Sequence, residues 1–484
     1  MVAVVEVDMR ADNMGLDPLP DIDFNIRCGN TLVGYATEAE LQKDLEYGDI
    51  FARQEFEDKV NTQMQIVATA FNRFKEVQFR QSEDMAAFKK AKGELTKRLA
   101  ILNELLNKHM HTTIATGYNY EAWLKSHQPF HWLAEFYEII HDNGGFDVII
   151  GNPPYVTFTD ASLPYSVCKY KTYCTKNLFA LVGERCQILT NTKSSVGYII
   201  PLSGLSIDGF EPFQRIIYKN TISWNSYYSG DRNPSELFTG VKIRAGIYLA
   251  RIGYERKYVS KYIKYYASER PFLFCKVNYV ECAGYVSAPK FSDEKSLSII
   301  DKINLQDKAL SSEFINEACF YYHAAPIYWC KALIDLKPLI KEKLNIADSY
   351  KRKSISRKYL DFAFILLNST LFFFYWIVFS DCYNLTQKYF SLIRVPKLSK
   401  DDNYSRLSRK LNSELYSKME IAEYYYKNRG NVRFAQFFPK KSKPIIDEID
   451  KVLAKHYGLT DEELDFIINY DIKYRMGDEL NEGE

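Results

Sequence analysis

The chain has 484 residues, and 63 Lys and Arg against 61 Asp and Glu give a formal net charge of +2 at pH 7. This length allows two or three hydrophobic cores, whereas the near-neutral charge by itself indicates no class of partner. Nine cysteines, an odd number without a Cys-x-x-Cys pair, argue against a disulfide framework and a zinc knuckle, so we predict reduced thiols in the cytoplasm and no metal site. Residues 1–7 carry no basic side chain, so no signal peptide is expected there.

The first predicted elements precede a long charged stretch. Residues 1–37 are predicted to form a strand and a loop that carries Asn30. In residues 38–111 apolar side chains recur at helical spacing, which predicts a helical hairpin inserted between two strands. The apolar positions with this period are Ile66, Phe71, Phe74, Phe79, Leu95, Leu99, Leu102, Leu105 and Leu106.

The next element joins a strand to an unusual loop. The apolar run 146–151 is followed directly by Asn152, Pro153, Pro154 and Tyr155. Each proline fixes φ at about −65° and cannot donate a hydrogen bond, so the loop is stiff and its carbonyls stay free to accept. Asn152 adds a side-chain carbonyl and Tyr155 an aromatic face. This combination suits the binding of a planar ring with an exocyclic amine, and an ordinary Asn-Pro turn after a buried strand is the alternative.

The chemistry of such a loop favours methylation of an amine. An amine that donates to two oxygens gains electron density on nitrogen, and it can attack a methylsulfonium without a strong base. A base inside a duplex cannot reach such a loop. It would have to be flipped out and stacked on Tyr155.

The segment 147–155 resembles the catalytic motif of the adenine-specific DNA methyltransferases that methylate an amino group. Other stretches sharpen the resemblance toward the large bifunctional restriction-modification enzymes of type IIG and extend it over almost the whole chain. These stretches are residues 19–32, 130–136, 177–181, 197–201, 457–464 and 468–471.

The resemblance implies an α/β fold, part of a Rossmann-like S-adenosylmethionine-dependent methyltransferase sheet with an inserted helical hairpin. A mixed α+β target-recognition region and C-terminal helices would follow. S-adenosyl-L-methionine is the implied cofactor and double-stranded DNA the implied partner. Asn152 and the Pro153 carbonyl would accept from the target amine, with Asn152 also at the cofactor. Pro154 would stiffen the loop, and Tyr155 would stack on the flipped adenine.

The same resemblance gives roles to residues outside the loop. Asn30 is expected near the adenine ring of the cofactor. Phe238 is expected to close the other face of the flipped base, with a core aromatic as the alternative. Asn177 and Phe179 are expected to shape the pocket behind the catalytic loop, and we interpret Asp147 as structural.

The remaining chain is divided by the same pattern. Residues 112–255 are predicted to be the catalytic half of the methyltransferase domain, with strands at 148–150, 197–201 and 247–252. A target-recognition region is predicted at 256–400 and a C-terminal helical region at 401–484.

Basic and aromatic clusters in the second half could contact DNA. Basic residues cluster at 351–358 and again at 440–443, and each cluster could neutralise phosphates or simply form a solvated helix face. Tyrosines at 424–426 suit stacking on bases. The apolar stretch 362–380 is long enough to span a membrane, but the polar residues 368–370 near its middle favour a buried helix, so no membrane partner is predicted.

One part of the expected cofactor site is missing from the sequence. The family needs a glycine-rich turn after its first strand, and residues 1–30 contain no such pattern. We therefore expect the chain to be the C-terminal portion of such an enzyme, either the second polypeptide of a split gene, whose upstream partner carries this turn, or a truncated product. The alternatives are a protein or RNA substrate with a planar amine, and a DNA-binding specificity or remnant subunit without catalytic activity.

Overall fold

The computed structural model describes residues 8–10, 24–45, 50–78, 84–114, 117–230, 236–238, 240–398, 404–428 and 430–477. Predictions made for residues 1–7, for 19–23 and for Phe79 lie outside the described residues. The chain divides into two compact units. The first unit comprises residues 1–149 and 156–194, and the second unit comprises 150–155 and 195–484. The divisions predicted from the sequence at 37, 111, 255 and 400 stay predictions.

The first unit begins with helices. They are α1 (Glu38–Leu45), α2 (Ile50–Gln78), α3 (Met85–Ile114), α4 (Tyr120–His127) and α5 (Trp132–Glu135). Helices α2 and α3 pack along each other because their apolar positions recur every three or four residues. Leu95, Leu102 and Leu106 of α3 are fully buried. The helices predicted between residues 38 and 111 are therefore confirmed.

The described part of the predicted strand and loop, residues 24–37, forms a loop; the strand stays a prediction for the residues outside the description. This segment contains turns and a single isolated bridge, between Asn30 and Pro129. Gly34 lets this segment pass close to the backbone at Phe130. Its φ is +123°, and a Cβ at this position would lie 2.1 Å from the Phe130 carbonyl oxygen. A residue with a side chain would not fit so close to that backbone.

A six-stranded mixed sheet follows in the chain. Its strands are β1 (Phe146–Gly151), β2 (Thr190–Pro201), β3 (Thr221–Tyr228), β4 (Ala245–Ile252), β5 (Arg256–Ile263) and β6 (Val280–Glu281), and the intervening helices are α6 (Leu178–Ile188), α7 (Leu202–Ser206) and α8 (Glu211–Tyr218). The strand order is β1-β2-β4-β3-β5-β6. The strands predicted at 148–150, 197–201 and 247–252 are confirmed.

Strand direction in this sheet is mixed. Strand β4 runs antiparallel to both β2 and β3, and β3 runs parallel to β5. It follows that β2, β3 and β5 share one direction, while β4 and the short β6 run the other way. The buried rings of Tyr198 and Tyr248, directly opposite each other on β2 and β4, stack with centroids 5.8 Å apart. The sheet with its helices makes the fold mixed α/β, as the sequence predicted.

The rest of the second unit combines short strands and helices. Its elements are α9 (Glu294–Asn304), β7 (Lys308–Ala309), β8 (Ala318–His323), β9 (Ala332–Leu333), α10 (Lys337–Lys341), β10 (Tyr350–Ile355), α11 (Leu360–Asn368), α12 (Thr370–Phe379), α13 (Gln387–Leu392), β11 (Arg394–Val395), α14 (Ser405–Ser417), β12 (Glu420–Tyr426), β13 (Gly430–Gln436), α15 (Lys443–Tyr457), α16 (Asp461–Ile468) and α17 (Ile472–Met476). The antiparallel pair β12–β13 lies in the region predicted to be helical throughout. That prediction is wrong here because aromatic residues at 424–426 favour a strand.

The apolar stretch 362–380 forms the core helices α11 and α12. Every residue from Phe362 to Val378 is buried. The helices meet at Ser369, whose hydroxyl accepts from the Phe372 amide at 3.0 Å and so caps α12. In the described part of the chain, no single helix is long and apolar enough to cross a membrane; residues 357–368 and α12 pass that test only as a pair, bent by 72°.

A buried carboxylate holds the start of α12. Asp450 of α15 accepts from the backbone amides of Thr370 and Leu371, at 3.1 and 3.2 Å. Burial raises the pKa of Asp450 to about 6, although these hydrogen bonds oppose the rise. The folded protein therefore holds this proton more tightly than the unfolded chain. The stabilisation is complete below a pH of about 3.8 and is lost as the pH rises through about 6.

We expect Asp450→Asn to remove this loss, because the amide keeps an acceptor oxygen and carries no charge. Relative to the unaltered protein, the variant should gain up to about 3 kcal/mol in the free energy of unfolding as the pH rises from about 4 to about 7. Denaturant unfolding across this pH range measures the gain. Asp450→Ala serves as the control, since it leaves two amides unpaired and should destabilise by about 1–3 kcal/mol. A pH-independent difference between Asp450→Asn and the unaltered protein would contradict the assignment.

Candidate functional site

The proline-containing loop lies at the end of β1 and is anchored to β2. The Tyr155 hydroxyl donates to the Ile199 carbonyl at 2.9 Å, and burial raises the pKa of Tyr155 to about 12. Pro153 is buried, whereas Asn152 and Pro154 are exposed. The loop is therefore held at its centre and its end, while its polar group faces outward.

The acceptors of this loop are unused. Among the residues that the structure describes, neither the Asn152 side chain nor the Pro153 carbonyl has a hydrogen-bond partner. Since Pro154 has no N–H and restricts the backbone before it, the Pro153 carbonyl stays where the loop places it. The exposed amide oxygen of Asn152 and the Pro153 carbonyl can each accept one hydrogen bond from the same NH2 group.

The exit of the loop pairs with the start of α6, inside the first unit. The Phe158 amide donates to the Lys176 carbonyl and the Leu178 amide to the Val156 carbonyl, both at 2.9 Å. Asn177 precedes α6, where its Oδ1 accepts from the Thr157 hydroxyl at 3.2 Å and its Nδ2 donates to the Thr175 carbonyl. Asn177 thus fixes the course of the chain as it leaves the loop.

Asn30 lies in the first unit, in a tight turn. Its Oδ1 accepts from the Leu32 amide at 3.1 Å, and its own amide donates to the Gln128 carbonyl at 2.8 Å. Within the described ranges its Nδ2 has no partner. The side chain is half-buried and oriented by this turn, with a donor left for a ligand.

A buried network centred on Arg185 of α6 holds that turn. Its Nη1 donates to both carboxylate oxygens of Glu40, at 2.6 and 2.7 Å, and its Nη2 donates to the Tyr170 hydroxyl at 2.7 Å. The Tyr170 hydroxyl donates in turn to the Leu32 carbonyl at 2.9 Å. Arg185 is fully buried, and its guanidinium holds the pKa of Glu40 below its usual range against the effect of burial. One side chain therefore links α1, α6 and the Asn30 turn.

The other predicted residues occupy different places. Phe238 belongs to the second unit and is exposed, with one bridge to Val241. Phe179 is buried at the start of α6. Asp147 accepts from Asn191 Nδ2 at 2.8 Å, which agrees with a structural role. Asn30, Asn177 and Phe179 thus lie in one unit, and Asn152 to Tyr155 with Phe238 lie in the other; their roles stay predictions.

Sequence reasoning missed the network that surrounds Arg185. Glu40 lies more than a hundred residues before Tyr170 and Arg185 in the chain. The residues next to each of the three form no recognisable motif. A charged residue within the apolar stretch that forms α6 was the one available signal. In the described part of the chain, no group of three or more His, Cys, Asp or Glu side chains could hold a metal ion.

Strand β1 is at one end of the sheet order, and its apolar side chains are uncovered. Val148 is 64% exposed and Ile150 is 82% exposed. Their side chains share one face of the strand, while Ile149 on the opposite face is only half-buried. A continuous apolar run is typical of a strand that is buried on both faces, so β1 has the composition of an interior strand in an exposed position.

In the predicted basic cluster at 351–358, Arg357 and Lys358 lie on a short 3-10 helix, Arg357–Tyr359, and the other basic residues do not. Lys351, Arg352 and Lys353 belong to β10, which is at the end of a three-stranded sheet in the order β10-β8-β9. Lys441 and Lys443 of the second cluster pair with Glu420 and Asp447. The first cluster is mostly exposed and is the better candidate for contact with phosphates.

The loop 152–155 and its flanking elements lie in a span that matches a known protein family. Residues 50–233 match the Eco57I restriction-modification methylase family. The matched span is less than half of the chain, and it contains the loop 152–155 and Asn177. For this span the resemblance to restriction-modification methylases that the sequence indicated is confirmed.

One relative is a protein of Methanocaldococcus jannaschii named as a type II restriction enzyme and methyltransferase. It is 25% identical over 254 residues, which cover 42% of this chain and 20% of the relative. The chain thus aligns with about a fifth of the length of this relative. The family match and this similarity together support a restriction-modification methyltransferase.

Solved structures give weaker similarity. The type IIL restriction-modification enzyme MmeI in complex with DNA is 10% identical, with a TM-score of 0.38 over 77% of this chain and 63% of that one. A nuclease-deletion mutant of the type ISP enzyme LlaGI with a DNA substrate mimic is also 10% identical, with a TM-score of 0.34 over 75% of this chain and 52% of that one. TM-scores this low do not support a conclusion about the fold or function of this chain.

We expect Arg185→Met to destabilise the first unit by about 3 kcal/mol, because it leaves the Glu40 carboxylate without its partner. The matched control is Glu40→Gln, alone and combined with Arg185→Met. Denaturant unfolding of the four proteins gives the coupling energy, which should be at least about 1 kcal/mol. Additive effects of the two substitutions would show that the pair does not act as a unit.

Proposed function

We propose that the chain is the catalytic portion of an adenine-specific DNA methyltransferase of the type IIG restriction-modification class, acting in the cytoplasm. The observation that carries this proposal is the loop 152–155. It has two unused acceptors, a proline that fixes them and an aromatic ring anchored to the neighbouring strand. The match of residues 50–233 supports the reaction class.

The residues of the loop would act by holding and aiming the target amine. When bound, S-adenosyl-L-methionine supplies an electrophilic methyl group. Asn152 Oδ1 and the Pro153 carbonyl would each accept a hydrogen bond from the exocyclic NH2, which directs the nitrogen lone pair toward that group. The Tyr155 ring would stack on the extruded base, and Phe238 would cover the opposite face. Positioning supplies the rate enhancement, since neither oxygen needs to remove a proton before attack.

Only part of the cofactor finds suitable residues in the chain. The side-chain amide of Asn30 has an N–H donor left for the adenine ring of the cofactor. Asn152 lies at the proposed site of methyl transfer. A glycine-rich turn, where the backbone can approach the rest of the cofactor, is absent from the sequence before Asn30. We propose that a segment outside this sequence provides it, on a second polypeptide or on a longer form of the same one.

The exposed face of β1 supports that second polypeptide. Val148 and Ile150 form an apolar surface on a strand at the end of the sheet. In the described part of the chain β1 pairs on one side only, and further strands of the same domain would cover this surface and pair with the other side. A DNA-binding subunit without catalytic activity would present the same surface, so activity has to distinguish the two.

Duplex DNA is the substrate that the charged and aromatic surfaces favour. The hairpin β12–β13 presents Tyr424, Tyr425 and Tyr426 to solvent, and Tyr425 is 77% exposed. Strand β10 presents exposed lysine and arginine side chains. Aromatic planes and cations of this kind suit contact with bases and phosphates, whereas a small protein amide would need neither.

The decisive experiment mixes the purified chain with labelled S-adenosyl-L-methionine and duplex DNA, with and without the polypeptide encoded immediately upstream. Labelled N6-methyladenine that forms only in the mixture supports the proposal. DNA binding without any methylation in the mixture identifies the non-catalytic subunit instead. Cofactor binding by the chain alone contradicts the need for a second polypeptide.

In the active mixture, we expect Asn152→Ala to lower methyl transfer by about 100-fold or more, since one of two acceptors in the transition state is lost. DNA affinity should change by less than about twofold, because phosphate contacts lie elsewhere. Asn316→Ala, which removes another exposed asparagine of the second unit, is the control. Filter binding and product formation measure the two effects, and an active Asn152→Ala enzyme would remove Asn152 from the mechanism.

We expect Tyr155→Phe to be mild, because the stacking ring remains. The lost hydrogen bond to the Ile199 carbonyl should cost about 0.5–1.5 kcal/mol, seen as a loss of at most about tenfold in kcat/KM. Tyr155→Ala should lose considerably more. Equal losses for the two variants would show that the hydroxyl, and not the ring, is the functional group.

Ile150→Lys should abolish association with the upstream polypeptide, because a charge would enter the apolar surface of β1. Leu305→Lys is the matched control, since Leu305 is equally exposed, at 82%, on another part of the second unit. Co-purification and analytical ultracentrifugation measure the association. Retention of the complex by Ile150→Lys would rule out β1 as the contact.

A further inference from the structure

A separate cleft of about 590 Å³ lies within the second unit. Four parts of the chain surround it: Tyr266, the end of β8 with the loop that joins it to β9, the segment 437–440 before α15, and the end of α17. This volume is within the range of about 300–1,000 Å³ that is typical of small-molecule sites. The cleft shares no lining residue with the loop 152–155.

The lining of the cleft combines cations with aromatic rings. Lys331, Lys440 and Arg475 line it together with His323, and the aromatic residues include Tyr328 and Phe438. Among the described residues that line it, none is Asp or Glu. The described wall therefore combines positive charge with flat apolar surfaces, while Asp450 and Asp471, outside the lining, partly offset the charge of Arg475.

Arg475 is the most constrained of these cations. Its guanidinium stacks on Trp329, with Cζ 3.7 Å from the ring centroid. Its Nε donates to the Tyr328 carbonyl at 3.0 Å and its Nη1 to the Tyr470 carbonyl at 3.2 Å. Arg475 is more than nine-tenths buried, yet within the described residues its Nη2 has no hydrogen-bond partner. A fixed, buried and unsatisfied N–H group is unfavourable unless a ligand accepts from it.

Lys331 adds to the same excess of positive charge, and His323 lies beside it. Within the described residues, Lys331 Nζ has one hydrogen-bond contact, a long one of 3.4 Å to the Phe437 carbonyl. Burial lowers the pKa of Lys331, and burial together with the nearby Lys331 lowers the pKa of His323 to about 4, so the imidazole is neutral at pH 7. An anion beside Lys331 would compensate its partly buried charge.

We propose that this cleft binds a nucleotide, with its phosphate held by Arg475, Lys331 and Lys440 and its base against Tyr328 and Phe438. Guanidinium and ammonium donors pair well with a phosphate. The half-buried rings of Tyr328 and Phe438 favour a ligand with a planar ring over a simple anion. The nucleotide is either free or the 5′-phosphorylated end of a DNA strand. This site goes beyond the proposed methylation and requires neither cofactor nor activity.

The test measures equilibrium binding to the full chain by calorimetry, without a methyl donor. The probes are deoxyadenosine monophosphate, deoxyadenosine, inorganic phosphate, and a short DNA strand with or without a 5′-phosphate. We expect the monophosphate to bind at least about tenfold more tightly than deoxyadenosine or phosphate. Tighter binding of the 5′-phosphorylated strand than of the monophosphate assigns the site to DNA ends, and the reverse order assigns it to free nucleotides.

Lys331→Gln should weaken monophosphate binding by about tenfold, because it removes one charge from the phosphate. Lys410→Gln is the matched control: Lys410 is exposed on α14, where it pairs with Glu448 at 2.7 Å, and the variant should bind normally. Lys440→Gln is a second variant whose folding does not depend on a buried group. The proposal is overturned if no probe binds saturably, if phosphate binds as tightly as the monophosphate, or if Lys331→Gln and Lys410→Gln behave alike.

Discussion

The buried guanidinium of Arg185 is the constraint on which the geometry of the first unit depends. It ties α6 to Glu40 of α1 and, through the Tyr170 hydroxyl, to the turn that orients Asn30. A charge inside a core is costly unless it is paired, so this arrangement tolerates little displacement of any partner. The segment 176–178 at the start of α6 also pairs with the exit of the loop 152–155. The same helix therefore orients the Asn30 turn and the chain that leaves the catalytic loop.

The loop 152–155 combines a restricted backbone with an exposed polar side chain. Two prolines restrict the backbone, and a hydroxyl anchors Tyr155 to β2, so the Pro153 carbonyl keeps its place. The Asn152 side chain is exposed to water, which satisfies its polar atoms. In the cleft near α17 the unsatisfied group is buried, which is why it indicates a ligand more strongly.

The exposed apolar face of β1 is the feature of the fold that bears on the proposed second polypeptide. A sheet that ends in an apolar strand has a surface suited to further protein. The surfaces proposed for DNA, the hairpin β12–β13 and strand β10, belong to the second unit, as does the loop 152–155. The Asn30 turn belongs to the first unit. The residues proposed for the target base are thus carried by a different unit from the turn proposed for the cofactor.

The sequence by itself determined the helices from 38 to 111 and the strands that flank the loop 152–155, because these depend on the periodicity of apolar residues; the chemistry of the loop stays a prediction. It also indicated that residues 362–380 form buried helices. Only the tertiary structure decided that β4 runs antiparallel between β2 and β3, that residues 24–37 form turns, and that 351–353 lie on a strand. It also brought together Glu40, Tyr170 and Arg185, and the cations around Trp329. Such contacts join residues far apart in the chain, and no local pattern records which distant partner satisfies a buried charge.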